Sequence, residues 1–221
     1  MKVSLLCSSA DHPVNAWLER WVARRGRDHD VALYRDKSEL PGGDVLFLVS
    51  CSQLIGAELR ALYRHTLVLH ASDLPRGRGW SPHIWALLAG EDHFMVTLLD
   101  AEAAVDSGAI WAQRQVPVPA HALHNEINAR LFEAELALMD EGLSMVAAGR
   151  RPRPQDSDIP PTYYRKRTPQ DSEIDPHRSL AEQFDAIRVA DPERYPAFFR
   201  LHGHTYTLEL KKVDDDDLDQ H

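Results

Sequence analysis

His70 ends the apolar run Thr66-Leu67-Val68-Leu69 and opens the segment His70-Ala71-Ser72-Asp73-Leu74-Pro75. A histidine at such a place can act as a general base near neutral pH; it can equally do no more than cap the run. The glycine- and proline-rich stretch Leu74–Pro82 follows, carrying Arg76, Arg78 and Trp80. Loops of this composition lie at the surface and hold side chains over strand ends. The two arginines read either as solvated charges or as groups for a phosphate, and Trp80 reads as packing. Asp106 lies in Asp106-Ser107-Gly108, a turn signature. Arg165-Lys166-Arg167 reads as a solvated face. The chain has 12 histidines in 221 residues, but neither His-Glu-x-x-His nor Cys-x-x-Cys occurs, so no metal site is expected. Ser8-Ser9-Ala10-Asp11 stands where a dinucleotide fold would have its glycines, which argues against a nicotinamide or flavin cofactor.

The elements that must position these residues alternate in type. Val3–Cys7 is a short apolar run. After Pro13, Val14, Trp17, Leu18, Trp21 and Val22 recur at helical spacing, and Gly26 ends the helix. Val31–Tyr34 is a second strand. Asp44–Ser50 is apolar on both faces, as a central parallel strand must be. Leu54 to Tyr63 reads as a short helix and Thr66–His70 as another apolar strand. A helix over His83 to Ala89, strands at Met95–Leu99 and Ile110–Val116, and a long helix over Ala120 to Ala148 complete the pattern. The expected fold class is α/β: a doubly wound, Rossmann-like, mostly parallel sheet. Ligands of such sheets sit outside the carboxyl ends of the strands, where His70 falls.

The expected core spans residues 1–150. Gly149-Arg150-Arg151-Pro152-Arg153-Pro154 then reads as a linker. Residues 151–212 form a C-terminal extension, with a helix near Ser179–Val189 and a hairpin of Phe198–His202 and Thr205–Lys211 around Gly203. Residues 213–221 read as an acidic, solvated tail. The net charge is −9, which argues against nucleic acid as a partner. Cys7 and Cys51 lie in apolar runs and read as buried thiols rather than a disulfide pair. No apolar run approaches the length of a membrane span, and the first strand is too short for a signal-peptide core. The expected location is therefore the cytoplasm.

From His70 to Ile110 the chain resembles the folate-dependent formyltransferase family. The shared pieces are His70-Ala71-Ser72-Asp73-Leu74-Pro75, Gly79-Trp80-Ser81-Pro82, the helix around Ile84–Gly90 and Val105-Asp106-Ser107-Gly108. Tyr164-Arg165-Lys166-Arg167-Thr168-Pro169 resembles a motif of the branch that formylates amino sugars, including pseudaminic-acid-type surface sugars. The resemblance implies transfer of a formyl group from N10-formyltetrahydrofolate to a primary amine. His70 would be the base, and Asp106 would orient the site. Folate would lie against Val49, Ser50, Cys51, Glu102 and Asp106, met largely by backbone groups. Ser72, Arg76, Arg78, Trp80 and Arg165 would face the acceptor.

Val68 departs from the family, which has asparagine there as a donor to the oxyanion. Backbone N–H groups, protonated His70, Ser72 or Ser50 would have to replace it. Otherwise the chain is a degenerate folate- or sugar-binding protein. The acceptor implied is a small amine, best a nucleotide-linked amino sugar; an amino-acid or peptide amine is the alternative. Initiator tRNA is not expected, because the chain is acidic and the larger C-terminal barrel of such enzymes is not found in it. A homodimer, with the hairpin in the contact, stays open.

Overall fold

The computed structural model describes residues 1–213; the acidic run from Asp214 onward lies outside the described residues. The chain forms β1 (Lys2–Leu6), α1 (Asn15–Arg25), β2 (Asp30–Tyr34), β3 (Gly43–Leu48), α2 (Ala57–Arg60), β4 (Tyr63–His70), β5 (Arg78–Gly79), α3 (Pro82–Leu88), β6 (His93–Asp100), β7 (Ile110–Pro117), α4 (His124–Ala147), β8 (Tyr163–Tyr164), α5 (Phe184–Arg188), β9 (Ala197–Leu201) and β10 (His204–Leu208). Six strands make one sheet in the order β2-β1-β3-β4-β6-β7. β1 to β4 run parallel, and β6 and β7 are antiparallel to their neighbours. This is the α/β, Rossmann-like, mostly parallel sheet expected from alternating elements with continuous apolar strands.

Side chains alternate across the strands. Val3, Leu5, Val45, Phe47, Leu67, Leu69, Val96 and Leu98 share the larger core with Leu18 and Trp21 of α1, Leu87 of α3 and Leu131, Leu138 and Met139 of α4. Gly142 lets α4 lie close to the sheet, since a Cβ there would come within 2.6 Å of Leu98 Cδ2. Asp140 ties α1 to α4 by accepting from Trp21 Nε1 at 2.7 Å and Arg25 Nε at 2.8 Å. The opposite face carries a smaller cluster of Leu6, Leu46, Leu48, Ile55 and Tyr63, against which Cys51, Val68 and Ala101 pack. Cys7 is buried, Cys51 half-buried, and both are free thiols.

The structure redraws some boundaries. The helix expected over Leu54 to Tyr63 is the single turn α2. Leu54 and Leu62 are 75% and 54% exposed, whereas Tyr63 is buried as the first residue of β4. Tyr63 donates its hydroxyl to Ser4 Oγ at 2.9 Å, which ties the start of β4 to β1. The helix near Ser179–Val189 is shorter, a 3-10 turn over Ala181–Gln183 followed by α5. The hairpin β9–β10 turns at His202 and Gly203, whose φ values are 50° and 80°, the pattern that matches strand twist. Ile174, Ile187, Ala190 and Ala197 form a separate small core beneath it. No helix among the described residues is long and apolar enough to cross a membrane.

Candidate active site

His70 is the last residue of β4, and its side chain is only 8% exposed. Its Nε2 lies 2.9 Å from the carbonyl oxygen of Gly77. A carbonyl only accepts, so this bond needs the hydrogen on Nε2 and leaves the lone pair of a neutral ring on Nδ1. Asp106 Oδ2 lies 3.6 Å from the same Nε2, and its side chain is equally buried. That oxygen also accepts the backbone N–H of Gly79 at 2.9 Å. A carboxylate so placed can orient the ring and would offset a positive charge on it.

The loop between β4 and α3 holds this geometry through two glycines with φ of 70° and 98°, Gly77 and Gly79. A Cβ on Gly79 would lie 2.4 Å from the carbonyl oxygen of Tyr164. The close approach exists because β5 pairs in parallel with β8. Thr162 Oγ1 accepts the N–H of Gly77 at 2.8 Å, and the carbonyls of Thr162 and Tyr164 accept from Arg78 and Trp80 at 2.9 and 3.1 Å. The segment after the expected linker at residue 150 is therefore laced onto the site loop.

Gln155 belongs to the same segment. Its Nε2 donates to the carbonyls of Asp106 at 2.8 Å and Gly108 at 2.9 Å. Its Oε1 accepts from Arg78 at 2.6 Å.

The structure brings together only part of the predicted site. His70 and Asp106 meet. The Ser72 hydroxyl is buried without a hydrogen-bond partner, and a Cβ added at Gly77 would come within 2.9 Å of Ser72 Cβ. Val49 is fully buried, Ser50 turns the chain with φ of 47°, and Cys51 Sγ faces the Gln53 carbonyl at 3.5 Å. Cys51, Val68 and Ala101 pack against one small core, so the end of β3 and the loop after β6 border the same cluster. Glu102 is exposed. Arg76 is exposed and makes no ion pair among the described residues.

Arg78 and Arg165 are held by the protein itself. Arg78 donates to Gln155 and, at 3.2 Å, to the Tyr163 hydroxyl. Arg165 grips Asp171 with both terminal nitrogens, which holds that carboxyl well below its usual range. Its guanidinium also lies 5.0 Å from the Trp85 ring centroid. Trp80 is 45% exposed rather than packed, with the Lys166 ammonium 5.0 Å from its ring centroid.

Gln155, Thr162 and Tyr164 were not foreseen as site residues, because no local pattern links them to a loop some 85 positions upstream. His83 and His12 are neutral at pH 7. Burial pushes His83 down to about 3, helped by the nearby cation-forming side chains of His70, His12 and Arg167, and burial pushes His12 down to about 4. No group of three or more His, Cys, Asp or Glu suited to a metal ion occurs among the described residues.

The Rossmann-like sheet thus carries a buried histidine at the carboxyl end of β4, met by an aspartate from the loop after β6. Residues 6–143 match the family described as formyl transferase, and the chain belongs to that family. It is 32% identical over 162 residues to a methionyl-tRNA formyltransferase of Moorella thermoacetica, covering 72% of this chain and 51% of that one. The chain thus spans about half the length of this curated relative. The fold superposes on HypX from Aquifex aeolicus in complex with tetrahydrofolic acid with a TM-score of 0.81 at 22% identity, over 95% of this chain and 37% of the other. It superposes on a 4-N formyltransferase from Francisella tularensis with a TM-score of 0.72 at 18% identity, over 96% and 98%. Identities this low speak for the fold alone.

Proposed function

We propose that the protein transfers a formyl group from N10-formyltetrahydrofolate to the primary amine of a nucleotide-linked amino sugar. The observation that carries the reading is the buried His70–Asp106 pair, with Nε2 tied to Gly77 and Nδ1 left as the basic nitrogen. A protonated amine has no lone pair with which to attack, so a base must remove that proton. His70 takes it on Nδ1, and Asp106 holds the ring and offsets the charge that results. The bound folate supplies the activated formyl carbon. The chain's own part is to seat it against the backbone of Val49, Ser50 and Cys51 and the loop bearing Glu102 and Asp106.

Val68 cannot serve as a donor. It packs with Leu74, Leu99 and Ile110. The buried, unpartnered hydroxyl of Ser72 is the donor we assign in its place, since a polar group left unpaired indoors is costly unless something uses it. Arg76 and Trp80, both exposed, would face the nucleotide part of the acceptor, with Arg78 and Arg165 bracing the loop behind them.

A second reading, transfer to aminoacylated tRNA, is favoured by the likeness to the Moorella protein and opposed by the net charge of −9, because nucleic-acid binding rests on cations meeting phosphates. The test is incubation with N10-formyltetrahydrofolate and, in parallel, nucleotide-linked amino sugars, free amino acids and methionine-charged tRNA. Product mass and tetrahydrofolate release are both followed. A formylated sugar is the expected product. Release that needs no acceptor, or formylation of the tRNA alone, refutes the sugar assignment.

A further inference from the structure

We infer that Gln155 is a positioning residue for the His70–Asp106 pair, acting through the backbone of the 106–108 turn; this inference rests on the proton-transfer role given to that pair above. Asp106 is a non-glycine residue with φ of 54°, a conformation that persists only where its surroundings enforce it. Gln155 supplies that enforcement. Both hydrogens of its amide are used, one on the carbonyl of Asp106 and one on that of Gly108.

The orientation of the amide follows from chemistry. Carbonyl oxygens only accept and a guanidinium only donates. Nε2 must therefore face the two carbonyls, and Oε1 must face Arg78, as found. One side chain thus joins the turn that carries the carboxylate to the loop that carries its second partner, Gly79.

Gln155 is itself fixed from two residues upstream. Arg153 exchanges backbone bonds with Ile110 at 2.7 and 2.9 Å. The turn is closed on its other side by Gly108, where a Cβ would lie 1.9 Å from the Asp100 carbonyl oxygen. With the turn gripped at both ends, Asp106 Oδ2 has little freedom to leave its place between Gly79 and His70. Loss of the amide frees the turn while leaving His70, Asp106 and Gly79 themselves unchanged.

The test compares Gln155→Ala and Gln155→Glu with the wild type. Gln155→Glu keeps an acceptor for Arg78 but replaces the donating amide with oxygens that repel the two carbonyls. Both variants should lower kcat by about 10-fold or more, as expected when a reacting group is misplaced by a fraction of an ångström to 1 Å. The KM for the acceptor should stay within about 3-fold, since the polar atoms of Gln155 are spent on the protein's own carbonyls and on Arg78. Thermal unfolding is measured alongside, so that a rate loss explained by a smaller folded fraction is recognised and counted against the proposal. A second readout needs no turnover. The Gly79 amide should shift in 1H–15N spectra and exchange faster in both variants as its bond to Asp106 loosens. An unchanged Gly79 amide, or wild-type kcat in either variant, overturns the inference. If the wild type transfers no formyl group, the functional reading fails while the Gly79 amide still decides whether Gln155 positions Asp106.

Discussion

The backbone N–H of Gly79 and the carboxylate of Asp106 meet at 2.9 Å, across a loop that approaches Tyr164 too closely for any side chain at residue 79. Gly79→Ala must therefore strain a φ of 98° and push a Cβ against a backbone oxygen. The expected cost is about 2 kcal/mol or more. For a chain of this size that lowers the melting temperature by about 5 °C. Formyl transfer should be lost at temperatures where the variant is still folded. A variant that melts early but turns over normally would show that this approach serves only stability.

His70→Ala is expected to reduce kcat by about 10²-fold or more, the usual worth of a positioned base, while folate binding measured by fluorescence quenching or calorimetry survives. Wild-type rates in this variant would end the assignment of His70 as base.

Ser72→Ala separates a donor role from a packing role. The hydroxyl has no partner inside the protein, so its removal should leave stability unchanged or slightly raised. If it meets developing negative charge, kcat should fall by about 10²-fold. A full rate in Ser72→Ala points back to backbone donors. Val68→Asn is the companion experiment. It places an amide among Leu74, Leu99 and Ile110 and should cost about 1–3 kcal/mol of stability.

Glu135 gives a pH signature unrelated to turnover. It is 4% exposed, one of its carboxylate oxygens has no partner, and burial pushes it from 4.5 up to about 8. A carboxyl whose folded pKa is raised keeps its proton in the folded state and gives it up on unfolding. The group thus costs nothing below about pH 4.5 and progressively more as pH rises toward 8. At pH 7 the cost is about 3 kcal/mol. Glu135→Gln should be more stable than the wild type at pH 7, with a gap in urea midpoints that grows between pH 5 and pH 8. A gap independent of pH would contradict the buried, protonated state.

Much of this was legible from residue order. The continuous apolar strands and the glycine and proline after His70 placed that histidine at the end of a parallel strand, because those features are local; its pairing with Asp106 came only with the family resemblance. The helix read over Leu54 to Tyr63 shrank to one turn, since a run of residues does not say whether its apolar members, here the exposed Leu54 and Leu62, are covered. Arg78 and Arg165 were read as groups free to meet a ligand. Their actual partners, Gln155 with Tyr163 and Asp171 with Trp85, could not be read from one-dimensional spacing. Gln155 was invisible for the same reason, as its contacts depend on a chain crossing that brings residues 153–164 back to residues 77–80.

That crossing sets an order of events. A chain is made from its N-terminus, and its folded units form as they emerge. The six-stranded sheet holds every strand it needs once β7 has been made, and His70 is in place by then. The loop beside it has no partner strand until Tyr164 arrives, and the Asp106 turn has no clasp until Gln155 does. The protein would therefore pass through a stage in which it is folded but not yet competent, and its chemistry would be switched on by the last third of its own chain.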